Sequence, residues 1–147
     1  MATTTASLTL TSTDLFADSL SISTSHQLNK AGTTIGLDQT TGLNKVYLTA
    51  TTNVDIITVP GATKDGKKSH VYIANLSTDE TEYIVVSIGD KVIGRLYAQD
   101  FLWMPWNQQA QHLSDLETAP SVATGMNVEY MIIHEGIELG TTADSQF

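Results

Sequence analysis

Apolar and polar residues alternate along most of this chain, and the density of that alternation changes near residue 44. Before that point the apolar positions are sparse. Leu8 and Leu10 stand between threonines, and Leu20 and Ile22 stand between serines, with Leu28 continuing the theme. A period of two places such residues on one face of a strand, so each segment offers two anchors on one side and hydroxyls on the other. Thr11 to Asp14 is a polar break, where Ser12 or Thr13 can cap a single turn through Leu15 and Phe16. Residues Met1 to Ser7 are small and polar, which predicts an unordered end unless a partner holds it. From Ala31 to Leu43 the glycines Gly32, Gly36 and Gly42 punctuate an irregular loop or arm, supplying positive φ or close backbone approach.

Denser strands follow. Lys45 to Thr51 and Val54 to Val59 read as strands with a turn at Thr52-Asn53 and a stop at Pro60-Gly61. Ser69 to Leu76 and Glu82 to Ile88 come next, the second being the most continuous apolar run in the chain. Gly89-Asp90 is a two-residue hairpin signal. It leads into a strand with Val92, Gly94, Leu96 and Ala98 on one face and Ile93, Arg95 and Tyr97 on the other. That strand turns at Gln99-Asp100 into Phe101-Leu102-Trp103-Met104-Pro105-Trp106, which holds both tryptophans of the protein. Asn107 to Leu116 accommodates a short helix or a loop, and Asn127 to His134 is the last strand. Strands at this spacing with turn residues between them predict an all-β fold, an antiparallel β-sandwich or jelly roll with an extended N-terminal arm. The organisation expected is an arm over 1–43, a sandwich domain over 44–136 and a flexible tail over 137–147.

Composition sharpens this. The 147 residues are 41% hydrophobic and only 16% charged, with neutral hydroxyl residues making up much of the remainder, which favours strands over helices. No cysteine is present, so disulfides, thiol nucleophiles and cysteine metal sites are excluded. A net charge of -9 argues against a grip on nucleic-acid phosphates. The cluster Lys64, Lys67 and Lys68 reads as a solvated loop, no apolar run approaches a membrane span, and the N-terminus lacks the parts of a conventional secretion signal.

Candidate chemistry is thin. His26, His70, His112 and His134 show no chelating spacing, and His134 beside Glu135 is a poor chelate because strand neighbours face opposite sides. Asp79, Glu80, Glu82, Asp115 and Glu117 lie in turns or polar stretches, with nothing to set two of them across a glycosidic bond. No catalytic residue, metal ligand or cofactor site is expected. Three readings of the aromatic cluster stay open. Trp103 and Trp106 can close the core, anchor another protein chain, or join Tyr97 as a stacking platform for a sugar.

Four stretches carry a resemblance. The Thr/Ser-rich ladder from Thr4 onward leads into Lys30-Ala31-Gly32 and then Gly36 to Leu43, GLDQTTGL. Later come VYIANLST from Val71, GRLYAQDFLWMPW from Gly94, and VEYMIIHEG from Val128. In these features the chain resembles small virion structural proteins of tailed phages of cyanobacteria. The resemblance implies a particle component with no enzymatic activity, most simply a capsid decoration or cement protein bound to the major capsid protein. A homo-oligomer, a trimer by preference, is expected. A neck, tail or baseplate position, or a carbohydrate-binding module on the virion surface, is the alternative. The residues expected at protein interfaces are Leu8, Leu10, Leu20, Ile22 and Leu28 of the weakly apolar third, with Trp103, Met104 and Trp106 of the aromatic cluster.

Overall fold

Strand-favouring sequence becomes eleven strands in a computed structural model, which describes residues 3–15, 17–57, 68–89, 91–106 and 115–135. Among the described residues there is no helix. The first two strands, β1 (Thr5–Ser12) and β2 (Leu20–Gln27), form an antiparallel hairpin that joins no other sheet. The short β3 (Gln39–Thr40) follows. The body is then built from β4 (Asn44–Leu48), β5 (Val54–Ile57), β6 (Ser69–Asn75), β7 (Tyr83–Ile88), β8 (Lys91–Tyr97), β9 (Phe101–Pro105), β10 (Leu116–Pro120) and β11 (Met126–His134).

The chain runs through four of these strands and returns beside them. Thus β7 pairs β8, β6 pairs β9, β5 pairs β10 and β4 pairs β11, all antiparallel. Folding this long ribbon over brings β6 beside β11 and β7 beside β10. The result is one sheet ordered β4-β11-β6-β9, with β3 on the same edge of β11 as β4, and a second ordered β5-β10-β7-β8. That is the strand order of an eight-stranded jelly roll. Alternation alone leaves sandwich and jelly roll open, because it says which face a residue takes and not which strand lies alongside.

Period-two alternation fills the space between the sheets. Val71 and Ile73 of β6 and Val128 and Ile132 of β11 point inward from one sheet. Ile84 and Val86 of β7, Leu116 of β10 and Ile57 of β5 meet them from the other. Leu102 and Met104, opposite Ile73 and Val71 on β9, pack against the same cluster. On β8 the expected face is broken. A bulge between Val86 and Ser87 leaves Ile93 as the extra residue, pairing Val86 with Gly94 but Ser87 with Val92. Val92 is therefore thrown outward, while Gly94, Leu96 and Ala98 remain half-buried.

Three other expectations change. The segment read as an extended arm over 1–43 is divided: among its described residues, β1 and β2 stand off the body and the rest joins it. Leu28 and Leu37 are buried, the Ala31 amide donates to Glu135 Oε2 at 2.7 Å, and Thr41 and Ile132 exchange hydrogen bonds. Thr5 to Ser7, expected to be unordered, pair with Ser25 to Gln27 because the two weak strands satisfy each other's backbone. Leu116, expected to end a helix or loop, opens β10, a central strand between β5 and β7. Residues 107–114, the tail over 137–147, Thr58 and Val59, and Lys64 and Lys67 lie outside the described residues.

Two of the turns turn on a residue with positive φ. Gln99 takes φ 67° where β8 crosses to β9, and Gly89 takes 59° at the β7–β8 hairpin. Ser12 Oγ accepts from the amide of Leu15 at 3.0 Å, closing the turn anticipated there.

Candidate functional site

The hairpin has two chemically distinct faces. Its register sets Leu8 opposite Thr24, Leu10 opposite Ile22 and Ser12 opposite Leu20, and cross-strand partners share a face. One face therefore presents Ala6, Leu8, Leu10, Leu20 and Ile22, with Ser12, Thr24 and His26 among them. The other presents only threonine, serine and glutamine: Thr5, Ser7, Thr9 and Thr11, with Ser21, Ser23, Ser25 and Gln27. Leu8, Leu10 and Ile22 are all exposed, Leu10 at 51%. A two-stranded ribbon is marginal in water, and this one leaves most of its apolar face uncovered.

A second apolar surface lies on the outer face of the first sheet. Residues of β6, β9 and β11 that do not point into the core point here: Tyr72 between Trp103 and Met131, and His70 between Pro105 and Ile133. Phe101 is 62% exposed and Trp103 37%. The His70 ring stacks on Trp103 with centroids 5.2 Å apart and planes at 19°. The root of the hairpin leans over this surface, leaving an open cleft of about 600 Å³ between Leu8, His26 and Leu28 on one side and Tyr72, Phe101, Trp103, Met131 and Ile133 on the other. Leu10, Leu20 and Ile22 lie beyond the cleft, toward the hairpin tip.

The expected interface residues thus separate into two groups. Leu8, Leu10, Ile22 and Trp103 are exposed, and Leu20 is partly so. Leu28 and Trp106 are buried, at 1% and 4% exposure, and Met104 packs on the core. These three are held inside the chain because they sit on inward positions, so they belong to its packing. The aromatic platform also comes apart. Trp103 points outward and Trp106 inward, while Tyr97 lies on the second sheet, 5.3 Å from Tyr83 and beside Arg95, whose guanidinium covers the Tyr83 ring at 4.4 Å. A strand-parity reading of residues 103 to 106 carries this signal, since positions three apart on a strand face opposite ways. Pro105 masks it by suggesting a turn, but β9 is an edge strand, where a missing amide donor is tolerated.

The titratable groups mostly do structural work. Glu82 accepts from the Ser77 hydroxyl, and Asp79 accepts from the Thr81 amide and hydroxyl, which holds its carboxyl below the usual range. Tyr72 donates to Glu129 at 3.2 Å, and burial followed by that carboxylate raises its pKa. His26 meets Lys68 at 3.5 Å, and His112 lies outside the described residues. No group of three or more His, Asp or Glu able to hold a metal exists among the described residues.

His134, only 3% exposed, donates its Nδ1–H to the Glu135 carbonyl at 2.7 Å and is held below its ordinary pKa of 6.5, chiefly by burial. His70 shifts the same way, through burial first and then Lys68 and His26. An unfolded chain takes up these protons near pH 6.5, whereas the folded chain resists them until lower pH. Stability is therefore constant above that value and falls on acidification, with a slope from His134 of up to about 1.4 kcal/mol per pH unit. The shifted carboxylates Asp38 and Asp79 have lowered values, so their loss comes only in stronger acid. Urea titrations between pH 8 and 5 should show the midpoint falling below pH 6.5, with a shallower fall for His134→Gln. An unchanged profile would mean that His134 titrates freely in the fold.

No family model, curated protein or solved structure matches this chain.

Proposed function

We propose that this chain is a structural protein of a tailed-phage virion, and that it acts as a decoration or cement protein on the capsid shell. Its jelly-roll body is a fold that also serves lectins and cupins, so the fold by itself does not select the role. The observation that carries the reading is the hairpin. It stands off the core and keeps Leu8, Leu10 and Ile22 of one face exposed, a surface suited to being covered by a neighbouring chain. On a particle, many identical copies let a small contact of this kind hold through avidity. The sequence resemblance points the same way. The partners are the major capsid protein and further copies of the chain, a trimer being the preferred assembly.

Quantitative mass spectrometry of density-purified particles tests this. A copy number approaching that of the main shell subunit is expected. A small fraction of it would move the protein to the neck, tail or baseplate, and absence from particles would overturn the virion assignment.

The hairpin makes a separate prediction. At the root, the Leu28 amide to Thr4 carbonyl bond, at 2.8 Å, continues its main-chain pairing. Deleting residues 3–27 should lower the melting temperature by no more than about 4 °C, the equivalent of about 1 kcal/mol at this size, while abolishing attachment to particles. A deletion variant that fails to fold would make the hairpin part of the core.

A further inference from the structure

The hairpin pairs with no strand of the body, so its angle to the first sheet is set at its root. There Leu28 is buried, and a side-chain contact crosses from the hairpin to the body. Lys68, just before β6, meets Nε2 of His26, near the end of β2, at 3.5 Å. An ammonium can only donate, so this contact needs an unprotonated Nε2 to accept. His70, two residues along from Lys68, adds a third basic side chain. Its ring is stacked on Trp103, and its Nδ1 is buried with no hydrogen-bond partner among the described residues. A charged His70 ring would hold a proton there with no acceptor until it moves.

The charged groups of the surrounding elements are engaged elsewhere. On β11, Glu129 accepts from Tyr72 and lies opposite Lys45 of β4. Glu135 accepts from the Ala31 amide, and the buried His134 donates to the Glu135 carbonyl. Lys30 pairs with Asp38 at 2.8 Å. On the hairpin side, Asp14 and Asp18 lie at the far tip, beyond the ends of β1 and β2.

We propose that the root of the hairpin is an acid-released latch: unprotonated His26 is tied to Lys68 and the hairpin leans over Phe101 and Trp103, whereas protonated His26 and His70 let it swing away and widen the cleft. The proton on His26 removes the acceptor and sets two cations in contact, at a separation where repulsion is felt even through water. His70 acts in the same direction. It is held below its ordinary pKa of 6.5 by burial first, and then by Lys68 and His26. Moving His26 away relieves part of that, so the open form takes up the proton more readily, and by linkage acid favours the open form. This movement belongs to the free chain and is independent of the virion assignment.

The absence of native cysteine allows two spin labels to be placed without background. Thr9→Cys on the hydroxyl face of the hairpin and Asn127→Cys on β11 are both exposed, and neither touches the latch. The doubly labelled full-length chain is diluted with unlabelled chain, so that only distances within one molecule are read by pulsed electron resonance. Spectra are compared at about pH 7.5 and about pH 5.5, either side of the range in which imidazoles change charge. The longer-distance population should grow at least about threefold on acidification. His26→Gln keeps an acceptor for Lys68 that takes up no proton, and should hold the shorter distance at both values. Lys68→Met removes the donor, and should show the longer distance already at the higher pH. An unchanged distance in the unsubstituted chain, or a change that persists in His26→Gln, would overturn the proposal. Amide hydrogen exchange of β6 and β11 should stay protected throughout. Loss of that protection together with the distance change would mean unfolding of the whole body, and would also overturn it. None of these outcomes alters the particle copy number, so the latch and the virion assignment can fail separately.

Discussion

Trp106→Ala is expected to lower the stability of the folded chain by about 3–5 kcal/mol, the usual cost of emptying a buried aromatic site. Trp103→Ala, three residues earlier on β9, should cost less, about 1–2 kcal/mol. The reason is which way each points. Trp106 is inside the sandwich, its amide donates to the Ser69 carbonyl at 3.1 Å, and its carbonyl accepts from the Ser69 hydroxyl. Those bonds continue the pairing of β6 and β9 past Pro105, so the ring is lowered into the core from a backbone fixed on both sides of the residue. Trp103 lies on the outer face, stacked on His70 and still 37% exposed. Urea unfolding of both variants, with the slope of the transition compared, measures this. Equal losses at the two positions would mean that Trp103 is buried too, and would remove it from any docking surface.

The second large effect is expected at Asn75, a fully buried polar residue at the end of β6. Its side-chain amide donates to the Leu96 carbonyl at 2.9 Å, and its side-chain oxygen accepts from the Ser77 amide at 2.9 Å. Its backbone amide donates to the Asp100 carbonyl and its carbonyl accepts from the Gln99 amide. One residue thereby ties the end of β6 to the crossing between the two sheets, where Gln99 holds a positive φ. Asn75→Leu keeps the volume but strands an acceptor and a donor, and the cost is about 2–3 kcal/mol. Asn75→Asp should do no better, because it loses the donor to Leu96 and sets a charge in a fully buried site. A shift of the urea midpoint equivalent to less than about 1 kcal/mol for Asn75→Leu would mean that water already satisfies these groups.

How much of this could be read beforehand depended on whether a residue's role is decided by its sequence neighbours. Strands β4 to β8 and β11 were legible because Val71 and Ile73, Ile84 and Val86, or Val128 and Ile132 repeat at the period of a pleat with turn residues at the ends. The amphipathic character of β1 and β2 was legible for the same reason. Strand β10 was not. Leu116-Glu117-Thr118-Ala119-Pro120 carries one strong apolar anchor, and Thr118 is buried without any apolar signal to announce it. It becomes a central strand because β5 and β7 supply hydrogen bonds on both sides.

Local alternation of apolar and polar groups, with glycine and asparagine or aspartate at the turns, determined that this chain is all-β and which face most strands bury. That follows from the geometry of a single strand, whose side chains alternate whatever lies beside it. Only the tertiary structure decided that the returning half of the ribbon pairs with the outgoing half, that residues 28–43 belong to the body, and that Trp103 and Trp106 part company. Those outcomes depend on hydrogen-bond partners distant in sequence, such as Ala31 with Glu135, and alternation within a segment carries no information about which distant segment will meet it.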